Sequence, residues 1–204
     1  LFGDRAPVGR LAFALPRDVG QLPLRTEDLP TGRPITGTGV SLDCDTARDG
    51  AGHHSFRKFT TACILEGPHT PLYPAGFGLG YTTFRYGAPT ASAQVLCGDE
   101  AVLILTVPVT NTGDQAGEDV VQLYLHDPVG RISRPMRELR GFRRLILAPG
   151  ETASARFEIG TDALRFWHGA TLSDAVHDWE PGNFVFLLGP NATETQPVTI
   201  RWDK

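Results

Sequence analysis

The 204 residues carry 19 basic and 23 acidic side chains, a formal net charge of −4, and 41% hydrophobic residues beside 23 glycines and 16 prolines. That length suits one large β domain, or one domain with a piece of another, and excludes a large complete enzyme. The charges are interspersed with a slight acidic excess, which disfavours a general nucleic-acid binder, and no apolar run reaches the roughly 18 residues of a spanning helix, so no membrane partner is expected.

From residue 1 to about 24, short apolar islands such as Leu11-Ala12-Phe13-Ala14-Leu15 are cut by Pro7, Gly9, Pro16, Gly20 and Pro23, and nothing is long enough to fold alone. Position 1 is Leu, and Leu1-Phe2-Gly3-Asp4-Arg5 lacks the regions of a signal peptide, so the expectation is a processed piece or part of something longer. Residues 25–84 begin with few apolar residues and no sustained period, which predicts an extended connector lying on a partner surface. The whole stretch 1–84 is expected to make few contacts with itself.

After about residue 85 the texture becomes strand-like. Val102 to Val109 ends at Asn111-Thr112-Gly113-Asp114, Asp119 to Leu125 ends at Asp127-Pro128, and Leu139 to Leu147 closes at Ala148-Pro149-Gly150-Glu151. In Thr152 to Ile159, Ala153, Ala155, Phe157 and Ile159 share one face. Asn183 to Leu188 and Val198 to Trp202 complete the set. About six or seven strands at this spacing predict a mainly β chain, an immunoglobulin-like antiparallel β-sandwich over residues 85–204.

Candidate chemistry is sparse. A glycosidase needs two carboxyl groups roughly 5 to 9.5 Å apart with one held protonated. Asp127, Asp162, Asp174, Asp178 and Glu180 are the acids near aromatic or turn positions, and each has an ordinary use at a turn or strand end. Cys44, His53, His54 and Cys63 are ligand types that zinc prefers, but eight residues separate Cys44 from His53 and eight separate His54 from Cys63, so no close ligand pairs form and no metal is expected. Three cysteines, Cys44, Cys63 and Cys97, allow at most one bridge, and pairing of Cys44 with Cys63 stays open. Arg131, Arg134, Arg137, Arg140 and Arg143 recur every third position with Arg144 alongside. Pro135 and Gly141 break any helix there, and on a strand that period alternates faces, so the expectation is a split between solvent-facing residues and inter-domain salt-bridge donors. Gly76-Phe77-Gly78-Leu79-Gly80 lacks the features of a phosphate loop and predicts close backbone packing. Asn191-Ala192-Thr193 is a glycosylation triplet, meaningful in a eukaryotic secretory setting.

Three stretches resemble the C-terminal part of glycoside hydrolase family 3, the β-glucosidases and related exo-acting enzymes. The first is Leu1-Phe2-Gly3-Asp4 with Pro7-Val8-Gly9-Arg10-Leu11 and Pro16-Arg17-Asp18-Val19-Gly20-Gln21-Leu22-Pro23, similar to the closing segment of the family's α/β sandwich domain. The second is Pro71-Leu72-Tyr73-Pro74-Ala75-Gly76-Phe77-Gly78-Leu79-Gly80-Tyr81-Thr82-Thr83-Phe84, with Ala75 where the family has an aromatic and Gly80 where it has serine. The third joins Val109 to Gly113, Val121 to Tyr124, Arg134-Pro135, Glu138 to Phe142, Leu147 to Glu151 and Glu180-Pro181-Gly182, and resembles the family's fibronectin type III-like domain. Thr31-Gly32-Arg33-Pro34 is similar to a connector motif of the periplasmic-type β-glucosidases, whereas the Cys44 to Cys63 region departs from them.

The resemblance implies residues 1–24 as the end of the α/β sandwich domain, 25–84 as connector and 85–204 as the fibronectin type III-like domain. It implies retaining hydrolysis of terminal β-D-glycosides, with the aspartate nucleophile and the glutamate acid/base upstream of Leu1. No catalytic, cofactor-binding or metal-binding residue is carried over to this chain, and no cofactor is implied. The implied partners are the upstream catalytic domains and, through them, a β-glucoside or oligosaccharide; a homodimer stays open, and a periplasmic or extracellular location is favoured. The competing reading is a free-standing carbohydrate-binding or adhesion module using Trp167, Trp179 and Trp202 as platforms. Two coplanar tryptophans on one open face favour binding, and tryptophans plugging the core favour a scaffold.

Overall fold

The computed structural model describes residues 6–17, 19, 22, 71–169, 171 and 173–204. Among these, eleven strands form in chain order: β1 Phe84–Tyr86, β2 Thr90–Ala91, β3 Val95–Cys97, β4 Leu103–Asn111, β5 Gly117–His126, β6 Glu138–Leu147, β7 Thr152–Ile159, β8 Phe166–His168, β9 Val176–Asp178, β10 Gly182–Gly189 and β11 Gln196–Asp203. One sheet has β4 at its centre, paired with β7 on one side and with β1 and β2 on the other. The second runs β3-β11-β10-β5-β6, and β8 and β9 make a separate two-stranded ribbon.

Alternation explains the sandwich. Leu103, Leu105, Val107, Val109 and Asn111 of β4 are buried while the residues between them are half-exposed, so one face of this strand meets the other sheet. Ala155, Phe157 and Ile159 of β7 do the same. From the five-stranded sheet come Val121, Leu123 and Leu125 of β5, Phe184, Phe186 and Leu188 of β10, and Ile200 and Trp202 of β11. Trp179 and Trp202 meet edge to face inside this cluster, with ring centroids 6.4 Å apart and planes at 67°. Trp179 Nε1 donates to Asp99 Oδ1 at 2.7 Å and Trp202 Nε1 to the Gly98 carbonyl at 3.2 Å, so both polar edges are satisfied in the interior.

Three features differ from the expectation. The sandwich is antiparallel apart from β3, which runs parallel to β11 because the chain crosses between the sheets after β2 and reaches the edge in the direction of β11. The strands β1, β2, β3, β8 and β9 add to those expected; with two or three residues each they are too short to show a period. The N-terminal stretch also makes more contacts with itself than expected. Leu15 bridges Tyr73, Leu11 N donates to the Phe77 carbonyl at 2.9 Å, and Gly76 N donates to the Leu11 carbonyl at 2.7 Å. The apolar islands of residues 6–17 and 71–80 thus satisfy their backbones by pairing with each other across a long sequence gap.

Candidate functional site

The outer face of β5 and β6 carries a groove of about 910 Å³. Its floor is three cross-strand pairs, Val120 with Arg144, Gln122 with Phe142, and Tyr124 with Leu139. A β-bulge sets the last pair: the register slips between Leu123 and Tyr124, so Arg140 is the extra residue and Leu139 faces Tyr124. Residues Val8 to Phe13 form one wall, and Ala75 and Gly76 close one end.

The wall is pinned by polar contacts. Gln122 Nε2 donates to the Gly76 carbonyl at 3.0 Å and the Pro190 carbonyl at 2.7 Å, and its Oε1 accepts the Tyr124 hydroxyl at 2.5 Å. Burial pushes the Tyr124 hydroxyl up to about 12, against the opposing pull of Arg137. Gly76 has φ +79°, and a Cβ there would lie 2.0 Å from Gln122 Oε1, so this position requires glycine. A Cβ at Gly78 would lie 2.5 Å from Arg10 Nη1. The close backbone packing expected of the glycine run is met at Gly78, against the Gly9 carbonyl; Gly76 packs on a side chain, and Gly80 makes no tight contact. Ala75 is buried with Tyr124 and Ala192 where the resemblance has an aromatic.

Arg10 also leaves the wall to reach Asp119, which is 2% exposed. Asp119 Oδ1 accepts Arg10 Nη2 at 2.6 Å and the Val120 amide at 2.9 Å, and Oδ2 accepts the Tyr86 hydroxyl at 2.6 Å. Burial, then the Asp119 carboxylate, raise the Tyr86 hydroxyl far above its usual range. This three-way lock joins the N-terminal wall to both sheets, and the sequence reading missed it. The available signal was Asp119 itself, which shares the inward phase of Val121, Leu123 and Leu125 and so needs a buried partner.

Only Arg140, Arg143 and Arg144 of the arginine series lie on a strand, β6; Arg131, Arg134 and Arg137 lie in the loop before it, and the members reach different partners within this chain. Arg134 is buried; its Nη1 meets Asp127 Oδ2 at 3.4 Å and the Leu164 carbonyl at 3.2 Å, its Nη2 meets Glu138 Oε2 at 2.8 Å, and its guanidinium lies 4.8 Å from the Phe166 ring centroid. Arg131 binds Glu180 through its side chain and its backbone amide and contacts His168 Nδ1 at 3.4 Å. Arg140 pairs with Glu138 at 2.7 Å, and Arg143 lies over Phe157. Arg144 Nε sits 2.6 Å from Glu118 Oε1 at an angle too poor for a hydrogen bond. Arg137 is half-buried, has no carboxylate partner among the described residues, and its Nε lacks a hydrogen bond.

The candidate carboxylates fall into ordinary roles. Asp127 and Glu180 both face Gly130. Burial raises Asp127 despite Arg134, whereas Glu180 lies below its usual value because the Arg131 amide and guanidinium outweigh burial. Split acidities of this kind suit acid/base pairs, but an arginine occupies each of these carboxylates. Asp162 pairs with Arg165 at 3.1 Å, Asp174 accepts the Thr171 amide and hydroxyl, and Asp178 holds Lys204 at 3.0 Å and its neighbour Trp179 N at 2.8 Å. The set Cys44, His53, His54 and Cys63 lies outside the described residues, and among the described residues no cluster of three metal-ligating side chains occurs.

Trp179 and Trp202 plug the core, and only Trp167 of the three is exposed, at 65%, with its ring stacked on His177 at 4.7 Å. The paired open platform of a carbohydrate-binding module is therefore not formed. Asn191 is buried, and its Oδ1 accepts the Thr193 amide, the Thr193 hydroxyl and the Glu194 amide at 2.9 to 3.0 Å. The triplet is a self-capped turn in the folded chain.

Two sheets closed over one core, with the arginine-bound β5–β6 loop at one end, define the fibronectin type III-like class, and residues 119–192 match the fibronectin type III-like domain model. The chain is 36% identical over 196 residues to the periplasmic β-glucosidase of Salmonella typhimurium, covering 96% of this chain and 23% of that protein. It is 34% identical over 200 residues to a β-xylosidase of Formosa agariphila, covering 98% of this chain and 24% of that one. Among solved structures, a β-glucosidase from Erythrobacter marinus superposes with a TM-score of 0.77 at 35% identity, covering 98% of this chain and 22% of its own. The chain thus belongs to glycoside hydrolase family 3 as a C-terminal portion of such an enzyme. It spans about a quarter of the length of these relatives.

Proposed function

We propose that this chain is the scaffold end of a retaining glycosidase acting on terminal β-D-glycosides, β-glucosides foremost, and that both catalytic carboxyl groups lie on polypeptide upstream of residue 1. The observation that carries the reading is the state of its own acids. The reaction needs two opposed carboxyl groups, one free to donate a proton and one free to attack the sugar. Asp127 and Glu180, the pair nearest to that description, are each held by an arginine. The division into a segment up to about residue 24, a connector to 84 and a sandwich from 85 is part of this proposal, as are the periplasmic or extracellular setting and the absence of any cofactor. The relatives include β-glucosidases and β-xylosidases, so the glucoside preference rests on the periplasmic-type connector motif and the β-glucosidase matches.

The test is an assay of this chain, the upstream fragment and their mixture on a chromogenic β-glucoside. The expected result is no turnover by this chain alone and greater activity or heat resistance for the mixture than for the upstream fragment. Turnover by this chain that is lost on Glu180→Gln or Asp127→Asn overturns the reading.

A further inference from the structure

The groove on the outer face of β5 and β6 is open along β6. Phe142 and Leu139 on its floor are exposed, Phe13 on its wall is 62% exposed, and Ile146, opposite Glu118 on the same face, is 77% exposed. Leu139 and Phe142 line the groove opposite Phe13, and Ile146 lies beyond Arg144 on the same face of β6; exposed large apolar side chains gathered in this way mark an interface. Arg137, the residue just before β6, is half-buried and has no carboxylate partner among the described residues. A partly desolvated guanidinium without a counter-charge is costly and calls for an acid from outside the described residues.

We propose that this face is where the upstream part of the same polypeptide docks, setting apolar side chains on Phe13, Leu139, Phe142 and Ile146 and one carboxylate on Arg137. The inference rests on the reading that the chain is one end of a longer enzyme, and it adds which surface carries the junction and what chemistry meets it. Two observations select this occupant. The groove wall, Val8 to Phe13, is the stretch of chain that leads back toward residue 1, so polypeptide preceding it is tethered at the groove, where effective concentrations on the order of mM let a modest patch suffice. A second copy of this chain fits poorly, because an isologous contact brings another Arg137 while the acid of this face, Glu118, already holds Arg144.

Hydroxyl-radical footprinting of the 204-residue chain and of the longer polypeptide tests the surface directly. Oxidation of Phe13, Leu139, Phe142 and Ile146 is expected to be several-fold slower in the longer form; equal rates in the two forms overturn the proposal, as does slowing in the short chain that grows with its concentration, which assigns the face to a homodimer. A second measurement does not depend on footprinting. Arg137→Glu and Ile146→Asp are expected to lower the melting temperature of the longer polypeptide and leave that of the 204-residue chain unmoved, and an equal shift in both, or none in either, counts against docking. Neither result depends on which polypeptide carries the catalytic carboxylates, so turnover by the short chain refutes the scaffold reading independently of the docking surface.

Discussion

The two faces of β5 are built from the same ten-residue strand and end in different states. Inward, Val121, Leu123 and Leu125 meet the opposite sheet and are sealed by this chain's own residues. Outward, Val120, Gln122 and Tyr124 are covered by residues 8–13, 75–76 and 190–192, and the cover stops at β6, where Leu139, Phe142 and Ile146 remain open. A strand buried on both faces normally lies between two layers of one protein. Here the second layer is supplied in part by a strap that is remote in sequence, so the inner face determines whether the sandwich folds and the outer face determines what it joins.

The largest effect expected from this contrast is on the inner face. Trp202→Ala removes a fully buried ring that also packs against Trp179, and a loss of about 3 to 5 kcal/mol is expected. Domains of this kind are stable by only about 5 to 15 kcal/mol, so urea unfolding followed by circular dichroism should show a much earlier transition. A change no larger than that of an exposed substitution breaks the distinction between the two faces.

Next comes the lock between strap and sandwich. Asp119→Ala strands the Arg10 guanidinium and the Tyr86 hydroxyl, and about 1.5 to 3 kcal/mol is expected for hydrogen bonds to a charged group. A double-mutant cycle with Arg10→Met is expected to give clear coupling, since the two groups are in direct contact at 2.6 Å. Additive losses would mean that Arg10 rests on the sandwich without holding it.

The inner face was legible in the sequence and the outer face was not. Thr152 to Ile159 alternates cleanly, and β7 occupies those residues. Asp119 to Leu125 reads as one strand from its apolar run closed by Asp127-Pro128, and the structure extends it to Gly117 and His126. What alternation cannot encode is contact between remote segments: Leu15 with Tyr73, Gly76 with Gln122 and Arg10 with Asp119 each join stretches with no shared period. The bulge at Arg140 hid the outer face further, because it shifts Leu139 and Phe142, three residues apart, onto one side of a strand. The family motifs identified the chain's place without identifying these contacts.

A smaller effect separates the two carboxylates at the loop end of the sandwich. Glu180 is held below its usual value by Arg131 in spite of burial, so its stabilisation is full above the ordinary carboxylate range and is lost as pH falls through its folded value. Asp127 is raised by burial against Arg134, so its contribution is present in acid and is lost as pH rises through its raised folded value. Urea midpoints taken between about pH 7 and about pH 3.5 should therefore fall less in Glu180→Gln than in the parent, and more in Asp127→Asn. Arg131 is more than half exposed, so solvent screening keeps the Glu180 difference to about 1 kcal/mol or less. Parallel curves for all three proteins would mean that the arginines fix geometry at this end without shifting either acidity.

The smallest effect belongs to Trp167. Its ring lies on the outward side of the β8–β9 ribbon, directly opposite His177 in the register, and Phe166 beside it turns inward onto Arg134. Truncation to alanine loses one stacked contact at a solvent-exposed site, for which about 0.5 kcal/mol is expected, near the lower end for aromatic pairs. Binding gives the sharper readout. A tryptophan with one face covered by His177 offers a single free face, and Trp179 and Trp202 are in the core, so no second tryptophan aligns with it along a sugar chain. Retention of the 204-residue chain on insoluble β-glucan is therefore expected to match that of an unrelated protein of similar charge, with Trp167→Ala changing nothing. Retention that is specific and disappears with Trp167→Ala would show that this ribbon, rather than the groove across β5 and β6, is the surface that meets something outside the chain.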